Sequence, residues 1–230
     1  AKGVKLKTGV EFEAKQVILT TGTFLKSSII IGEHSFNSGP HHQFPANKLS
    51  RNLAQLGFEI RRFKTGTPPR VDQRSIDLDK LEEQPGLAEE VTFSFADINK
   101  SHPGEISCWL VETNAQTHQV IKENIDRSPL FNGVMESQSP RYCPSIEDKV
   151  MEHPHKESHQ LYVEPEGEYI FEVYLAGLST SLPEDVQVEM LHTLPGFAKA
   201  EIMRPGYAIE YDCINPLQLQ PSLETKLISG

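Results

Sequence analysis

Polar and apolar residues alternate at the front of the chain, in Val4-Lys5-Leu6-Lys7 and again in Val10-Glu11-Phe12-Glu13-Ala14, on either side of Thr8-Gly9. A period of two around a short glycine turn predicts a hairpin. The next run, Gln16-Val17-Ile18-Leu19-Thr20, is continuous rather than alternating, which predicts a short buried strand ending at Thr21-Gly22-Thr23. Leu49, Leu53 and Leu56 then fall at helical spacing, and Gly57 is a plausible stop. Residues 58–64 return to strand character, and Thr65-Gly66-Thr67-Pro68-Pro69 has the composition of a loop.

Beyond this point the pattern loosens. Residues 75–105 read as irregular, with turns at Pro85-Gly86 and Pro103-Gly104. A strand is expected over residues 108–112. A helix is expected from about Thr113, with Gln116 as capping partner and Val120, Ile121 and Ile125 as its apolar side. Residues 127–158 read mostly as loop, and residues 159–163 as strand. Ser181-Leu182-Pro183-Glu184 predicts a helix start with Ser181 as N-cap, running to Leu194 before Pro195-Gly196. Short strands follow at residues 202–204 and 208–211. Strands and helices mix, with no internal repeat, which predicts an α/β fold. The strand-rich ends around a mixed middle suggest one domain interrupted by another. A chain that opens in a hairpin and closes on Leu227-Ile228-Ser229-Gly230 is expected to be an internal piece of a longer protein.

Composition narrows the class. The chain has 230 residues, 37% hydrophobic and 23% charged, enough for a real core. No apolar run approaches the ~18 residues of a membrane span. Cys108, Cys143 and Cys213 lie far apart, which argues against a disulfide framework or a structural zinc site and for a reducing compartment. His41-His42 and His153/His155 lack acidic or thiol partners at ligand spacing, so no metal is expected. A net charge of −10 excludes a uniformly basic surface but not a local phosphate-binding patch. Arg61, Arg62, Lys64, Arg70 and Arg74 are the candidate patch.

Three stretches combine Pro, Gly, aromatics and both charge signs in a way neither a core strand nor a solvated loop requires. They are residues 64–70, KTGTPPR; residues 139–149, SPRYCPSIEDK; and residues 204–212, RPGYAIEYD. With Leu19-Thr20-Thr21-Gly22-Thr23-Phe24-Leu25, Thr113-Asn114, Glu164-Pro165-Glu166-Gly167, Ser179-Thr180-Ser181-Leu182-Pro183 and Glu224-Thr225-Lys226, they span nearly the whole chain. Together they resemble the glucose-inhibited division protein A family, the large FAD-dependent subunit of the tRNA uridine 5-carboxymethylaminomethyl modification enzyme. A paralogous family of folate-dependent tRNA uridine methyltransferases matches the Cys143 region less well. A stand-alone RNA-binding module is the alternative from a different class.

The resemblance implies part of a two-dinucleotide-binding-domain flavoprotein. Residues 1–60 and 204–230 would belong to the FAD domain, and residues 61–203 to an inserted nicotinamide-binding-like domain. It implies FAD, NADH and a folate one-carbon donor as cofactors, tRNA as substrate, a GTPase partner subunit, a homodimer and a cytoplasmic (or, in a eukaryote, mitochondrial) location. It implies that Cys143 is the catalytic thiol. Thr20, Thr21, Gly22 and Thr23 are expected beside FAD, at a strand end where α/β sheets bind ligands. Arg141, Tyr142 and Lys149 are expected to bind the nicotinamide dinucleotide, and Arg61, Arg62, Lys64 and Arg70 the RNA. Arg141 and Lys149 could also lower the Cys143 pKa if they point at it, whereas Cys108 and Cys213 read as buried structural thiols. The chain departs from the family in two places. Ser38-Gly39-Pro40-His41-His42 stands where a Gly-Gly-Arg-x-Gly loop is usual near the flavin. Ser139, Glu152 and His153 stand where the second stretch usually begins with Gly and ends in a basic residue and Phe. The glycine fingerprint that cradles a dinucleotide phosphate does not occur in the chain.

Overall fold

The computed structural model describes residues 1–86, 94–97, 106–135, 137 and 143–230. The expected turn at Pro103-Gly104 and the Ser139-Pro140-Arg141-Tyr142 segment lie outside the described residues. The architecture is mixed α/β, as the two periodicities predict, and every strand pairing among the described residues is antiparallel.

The front hairpin forms as expected, from β1 (Gly3–Lys5) and β2 (Glu11–Glu13). The buried strand expected at residues 16–20 does not form. Those residues take no regular structure, and Ile18 is 85% exposed. Apolar composition favours a strand only where a neighbour completes its hydrogen bonds, and no described strand runs beside this segment.

Two sheets carry the rest. The four-stranded sheet has the order β4-β3-β12-β5, from β3 (Ser28–Ile31), β4 (His34–Asn37), β5 (Ile60–Thr67) and β12 (Tyr207–Ile214). Helix α1 (Asn47–Gln55) precedes β5, and Gly57, at φ +96°, turns the chain between them. β5 runs through Thr65-Gly66-Thr67, which the composition assigned to a loop. The reason is pairing: Thr65, Gly66 and Thr67 lie opposite Ile209, Ala208 and Tyr207.

The six-stranded sheet has the order β11-β6-β10-β9-β8-β7. Its strands are β6 (Arg70–Asp72), β7 (Glu82–Gln84), β8 (Cys108–Glu112), β9 (Gln160–Pro165), β10 (Glu172–Ala176) and β11 (Ile202–Arg204). Val71, Leu161, Val163, Val173 and Leu175 of this sheet pack on α2 (Ala115–Glu123), α3 (Ile146–Glu152) and α4 (Glu184–His192), through Ile121, Ile146, Val150, Met190 and Leu191. Full burial of each such side chain is worth about 1.5–3 kcal/mol, so this is the main core. Membership passes from one sheet to the other at Pro68-Pro69 and back at Pro205-Gly206.

The helix starts differ from expectation in instructive ways. The N-cap of α2 is Asn114, whose side chain accepts from the Gln116 and Thr117 amides at 2.9 and 3.1 Å. Thr113 is engaged elsewhere, accepting from the His159 amide at 2.8 Å. Helix α3 lies inside residues read as loop, closed by a capping box between Ser145 and Asp148. α4 begins after Pro183 with no side-chain cap, because the Ser181 hydroxyl and amide face Glu147 instead. It ends at His192 rather than Leu194.

His118 and His159 pack together beneath this sheet, ring centroids 5.4 Å apart. Both are buried, and the His159 Nε2 has no hydrogen-bond partner among the described residues. Burial pushes both imidazoles below their ordinary value of 6.5, with Lys122 adding to His118, and His118, Lys156, Lys149 and His153 adding to His159. The unfolded chain therefore takes up protons at a pH where the folded chain does not, and the stability present above pH 6.5 is lost as pH falls below it. His159→Leu is expected to flatten this fall. Thermal unfolding of both proteins between pH 7.5 and 5 checks it, and parallel curves would refute the assignment.

Candidate functional site

Cys143 sits in a seam between the four-stranded sheet and the segments packed on the six-stranded one. On one side are Lys64, Thr65 and Gly66 of β5 and Ala208 of β12. On the other are Ser145 and Asp148 at the start of α3 and the Ser179-Thr180-Ser181 turn, with Leu130 closing one end. The cavity between them measures about 20 Å³, room for about one water. The Cys143 Sγ lies 3.1 Å from the Thr65 hydroxyl. The strand extension at Thr65-Gly66-Thr67, missed in the sequence, is what brings Thr65 to the thiol.

The other two thiols stand apart. Cys108 is half-buried in β8, and burial, with Glu164 beside it, pushes its thiol up. Cys213 is half-buried in β12 rather than after a strand, pushed up by burial and Asp212 against the pull of Arg61. Both shifts favour the protonated thiol.

Of the cations expected around Cys143, Arg141 lies outside the described residues, as does Tyr142. Lys149 is half-buried in α3 and donates to the Gly177 carbonyl at 2.8 Å. Burial pushes its ammonium down, Lys156 adds to this, and the Cys143 thiolate opposes it. Lys149 therefore lies within electrostatic range of the sulfur. Tyr211 does too: burial first, then Cys213 and Cys143, raise its phenol. Lys64, expected to touch RNA, lines the same pocket.

The basic strip expected from Arg61, Arg62, Lys64 and Arg70 does not assemble as one exposed surface. Arg62 donates to Asp212 at 2.9 Å, to the Lys26 carbonyl at 2.8 Å and to Ser28 at 3.0 Å, tying the 24–28 segment to the sheet. Arg61 projects from the opposite face of β5 and pairs with Glu59 at 3.1 Å. Arg70 is buried, bonded to Glu166 at 2.8 Å, to the Pro68 carbonyl at 2.9 Å and to Thr67, with Tyr174 under its guanidinium. Sequence spacing could not reveal this, because Glu166 and Tyr174 are remote in the chain. Arg74 pairs with Asp72 through two oxygens and lies over Phe171.

Thr20, Thr21, Gly22 and Thr23 form an open edge. Thr20 and Gly22 are exposed, Gly22 takes φ +50°, and nothing stands within 4 Å of where its Cβ would be. The Ser38–His42 loop is unusual in placing two consecutive non-glycine residues, His41 and His42, at φ +53° and +59°. Arg204 bridges the His41 ring (2.7 Å) and Glu172 (2.7 Å), linking this loop to the six-stranded sheet.

A family model described as glucose inhibited division protein A matches residues 1–230. The tRNA uridine 5-carboxymethylaminomethyl modification enzyme MnmG of Ligilactobacillus salivarius is 55% identical over 232 residues, covering 100% of this chain and 36% of that protein. The enzyme of the same name from Clostridium kluyveri is 55% identical over 228 residues, covering 99% of this chain and 36% of that protein. The chain thus spans about a third of the length of the curated relatives it matches. A crystal structure of Aquifex aeolicus GidA superposes with a TM-score of 0.88 at 42% identity, covering 98% of this chain and 39% of that one.

The buried role of Arg70 has a measurable consequence. Arg70→Ala leaves Glu166 and the Pro68 carbonyl without their partner, and is expected to cost about 3 kcal/mol of stability. Arg61→Ala, which removes an exposed pair, is expected to change stability little. Urea unfolding of the two variants checks the difference; equal midpoints would contradict the structural role of Arg70.

Proposed function

Because the chain belongs to the glucose inhibited division protein A family, we propose that it is the part of a tRNA-modifying flavoenzyme that supplies the thiol acting on the wobble uridine. The product is a carboxymethylaminomethyl or aminomethyl group on uridine C5. The observation that carries this reading is the position of Cys143 at the seam, beside the Thr65 hydroxyl and within range of Lys149.

Uracil C5 is a weak nucleophile until something adds at C6. The Cys143 thiolate forms a bond to C6, and the C5=C6 electron pair moves onto C5 and O4. C5 then bonds to the electrophilic one-carbon unit, whose carbon takes the nitrogen of an amine co-substrate as the folate nitrogen leaves. The C5 proton leaves to a base, the C6–S bond breaks, the double bond returns and the thiolate is released. Cysteine suits both ends of this sequence, since a thiolate is a strong nucleophile and a tolerable leaving group. The Thr65 hydroxyl, 3.1 Å away, orients the sulfur.

FAD would pass electrons from NADH, and a folate would donate the carbon. Thr20, Thr21, Gly22 and Thr23 fit one edge of a flavin: they are accessible, and Gly22 leaves its side open to close approach. Lys149, with Arg141 and Tyr142, would hold the nicotinamide dinucleotide, within an inserted domain of residues 61–203. Arg61 and Lys64 remain candidates for tRNA phosphate, while Arg62 and Arg70 serve the fold. The whole enzyme would work as a homodimer with a GTPase subunit, in the cytoplasm or, in a eukaryote, the mitochondrion. No helix among the described residues is long and apolar enough to cross a membrane.

Two variants of the full-length enzyme separate these roles. Cys143→Ser is expected to abolish tRNA modification while flavin content and NADH oxidation stay near wild type; normal modification would exclude the thiol mechanism. Arg141→Ala is expected to raise the KM for NADH about tenfold, in steady-state oxidation assays, and an unchanged KM would remove Arg141 from that site.

A further inference from the structure

Four residues beyond Cys143, Glu147 is completely buried, a costly place for a carboxyl group. Its Oε1 accepts from the Ser181 amide and the Thr180 hydroxyl, both at 3.0 Å, and from the Ser181 hydroxyl at 3.4 Å. Its Oε2 has no partner, and no cation pairs with it among the described residues. An ionised carboxylate in this position would be a buried charge with one oxygen unsatisfied, a state that costs several kcal/mol. Burial pushes its pKa up, against the Ser181 amide, its own backbone amide, Thr180 and Ser145. The neutral acid keeps Oε1 as an acceptor and avoids the buried charge.

The partners of Oε1 are the residues that wall the Cys143 pocket. A second bond runs beside them, from the Ile146 amide to the Ser179 carbonyl at 2.7 Å. The Ser181 carbonyl accepts in turn from the Gly32 amide at 2.7 Å, at the turn between β3 and β4. From there β3 pairs with β12, and β12 with β5, which carries Thr65 to the sulfur. With the chain from Cys143 into α3, these contacts close a ring: Glu147, Ser181, Gly32, the sheet, Thr65 and back to Cys143.

We propose that Glu147 is a positioning residue for Cys143, a neutral hydrogen-bond clamp that fixes the Ser179–Ser181 wall against α3 and so sets where the thiol stands. This rests on reading Cys143 as the reacting thiol. Displacing a reacting group by an ångström costs up to about a hundredfold in rate without changing how substrate binds. Gln keeps the acceptor at Oε1 and carries no charge, so it should preserve the clamp, whereas Ala and Asp should not.

In the full-length enzyme, single-turnover modification of tRNA is expected to slow at least about tenfold in Glu147→Ala, with KM for tRNA and flavin content unchanged. Glu147→Gln is expected to stay within about twofold of wild type. If the alanine protein does not fold, Glu147→Asp, which withdraws the acceptor by one methylene, takes its place with the same expected loss. A wild-type rate in the folded alanine or aspartate protein overturns the proposal. So does a glutamine protein as slow as alanine, since the charge and not the clamp would then be required. The rate of Cys143 alkylation by iodoacetamide, followed by mass spectrometry of the Cys143 peptide, tests the clamp independently of turnover. It should rise at least about fivefold in Glu147→Ala as the wall loosens, and return to the wild-type value in Glu147→Gln; equal rates in all three proteins overturn the clamp. Normal modification by Cys143→Ser would sink the thiol reading while leaving the alkylation result to decide whether Glu147 positions Cys143.

Discussion

The ladder between β5 and β12 is the constraint on which the rest of the molecule depends. It pairs eight residues on each strand, from Tyr207 opposite Thr67 to Ile214 opposite Ile60, and it joins Arg62 to Asp212 across 150 positions of sequence. Closing so long a loop carries an entropy cost that grows only slowly with length, and the ladder offsets it with backbone hydrogen bonds and matched side chains. Arg62 meets Asp212, Lys64 faces Glu210, and Phe63 packs on Tyr211 with ring centroids 6.4 Å apart. Such cross-strand pairs contribute roughly 0.2–1 kcal/mol each. The re-entry point is fixed just as firmly: the Gln187 side chain accepts from the Gly206 amide at 2.7 Å and donates to its carbonyl at 2.9 Å. Gly206 has no space for a Cβ, which would stand 2.9 Å from the Thr67 carbonyl oxygen. Everything between Pro68 and Pro205 hangs from this junction, and Cys143 reaches Thr65 only because the junction holds.

The chain spends its cations on joining its parts. Arg62 ties the 24–28 segment to the four-stranded sheet, Arg127 joins Glu33 to Asp185, and Arg204 joins His41 to Glu172. The last two connect the four-stranded sheet and its loops to the six-stranded sheet and its helices. In a chain of net charge −10, arginines committed to such bridges are unavailable to an external phosphate. This is why a cluster of basic letters in the sequence does not become a basic surface. Lys64 and Lys149 both stand around the thiol, Lys149 held there by its bond to the Gly177 carbonyl.

How much of this was legible depended on whether the deciding contact was local. The front hairpin, α1 with its Gly57 stop, β8 and β11 could be read from periodicity and turn residues, because their patterns need no distant partner. Helix α3 was hidden although its capping box, Ser145 to Asp148, stands in plain letters; the surrounding Pro and His residues gave the segment a loop's composition. Residues 65–67 looked like loop because Gly and Thr are poor guides, and only β12 makes them strand. Residues 16–20 failed in the opposite way: their composition favours a strand, yet no described neighbour pairs with them. At the site, Cys143 stood out by the oddness of its motif. Thr65 and Glu147 could not, since a hydroxyl in a Gly-Pro loop and a glutamate in a charged helix are ordinary until the fold brings them to the sulfur.

The walls around that sulfur are held unequally. β5 and β12 are fixed by their ladder, and α3 is anchored by Ile146 and Val150, both essentially without exposure in the main core. The Ser179–Ser181 turn is fastened through Glu147 and Gly32. Leu130 packs against a much smaller cluster, in which Ile30, Met135 and Ala208 are the buried members among the described residues, and turn hydrogen bonds such as that from the Met135 amide to the Pro129 carbonyl hold its segment. Local opening is cheapest where few apolar contacts are lost. Cys143 itself is half-buried, so part of its surface is open to solvent. Among the described residues, the Leu130 side of the pocket is therefore the wall with the fewest buried apolar neighbours.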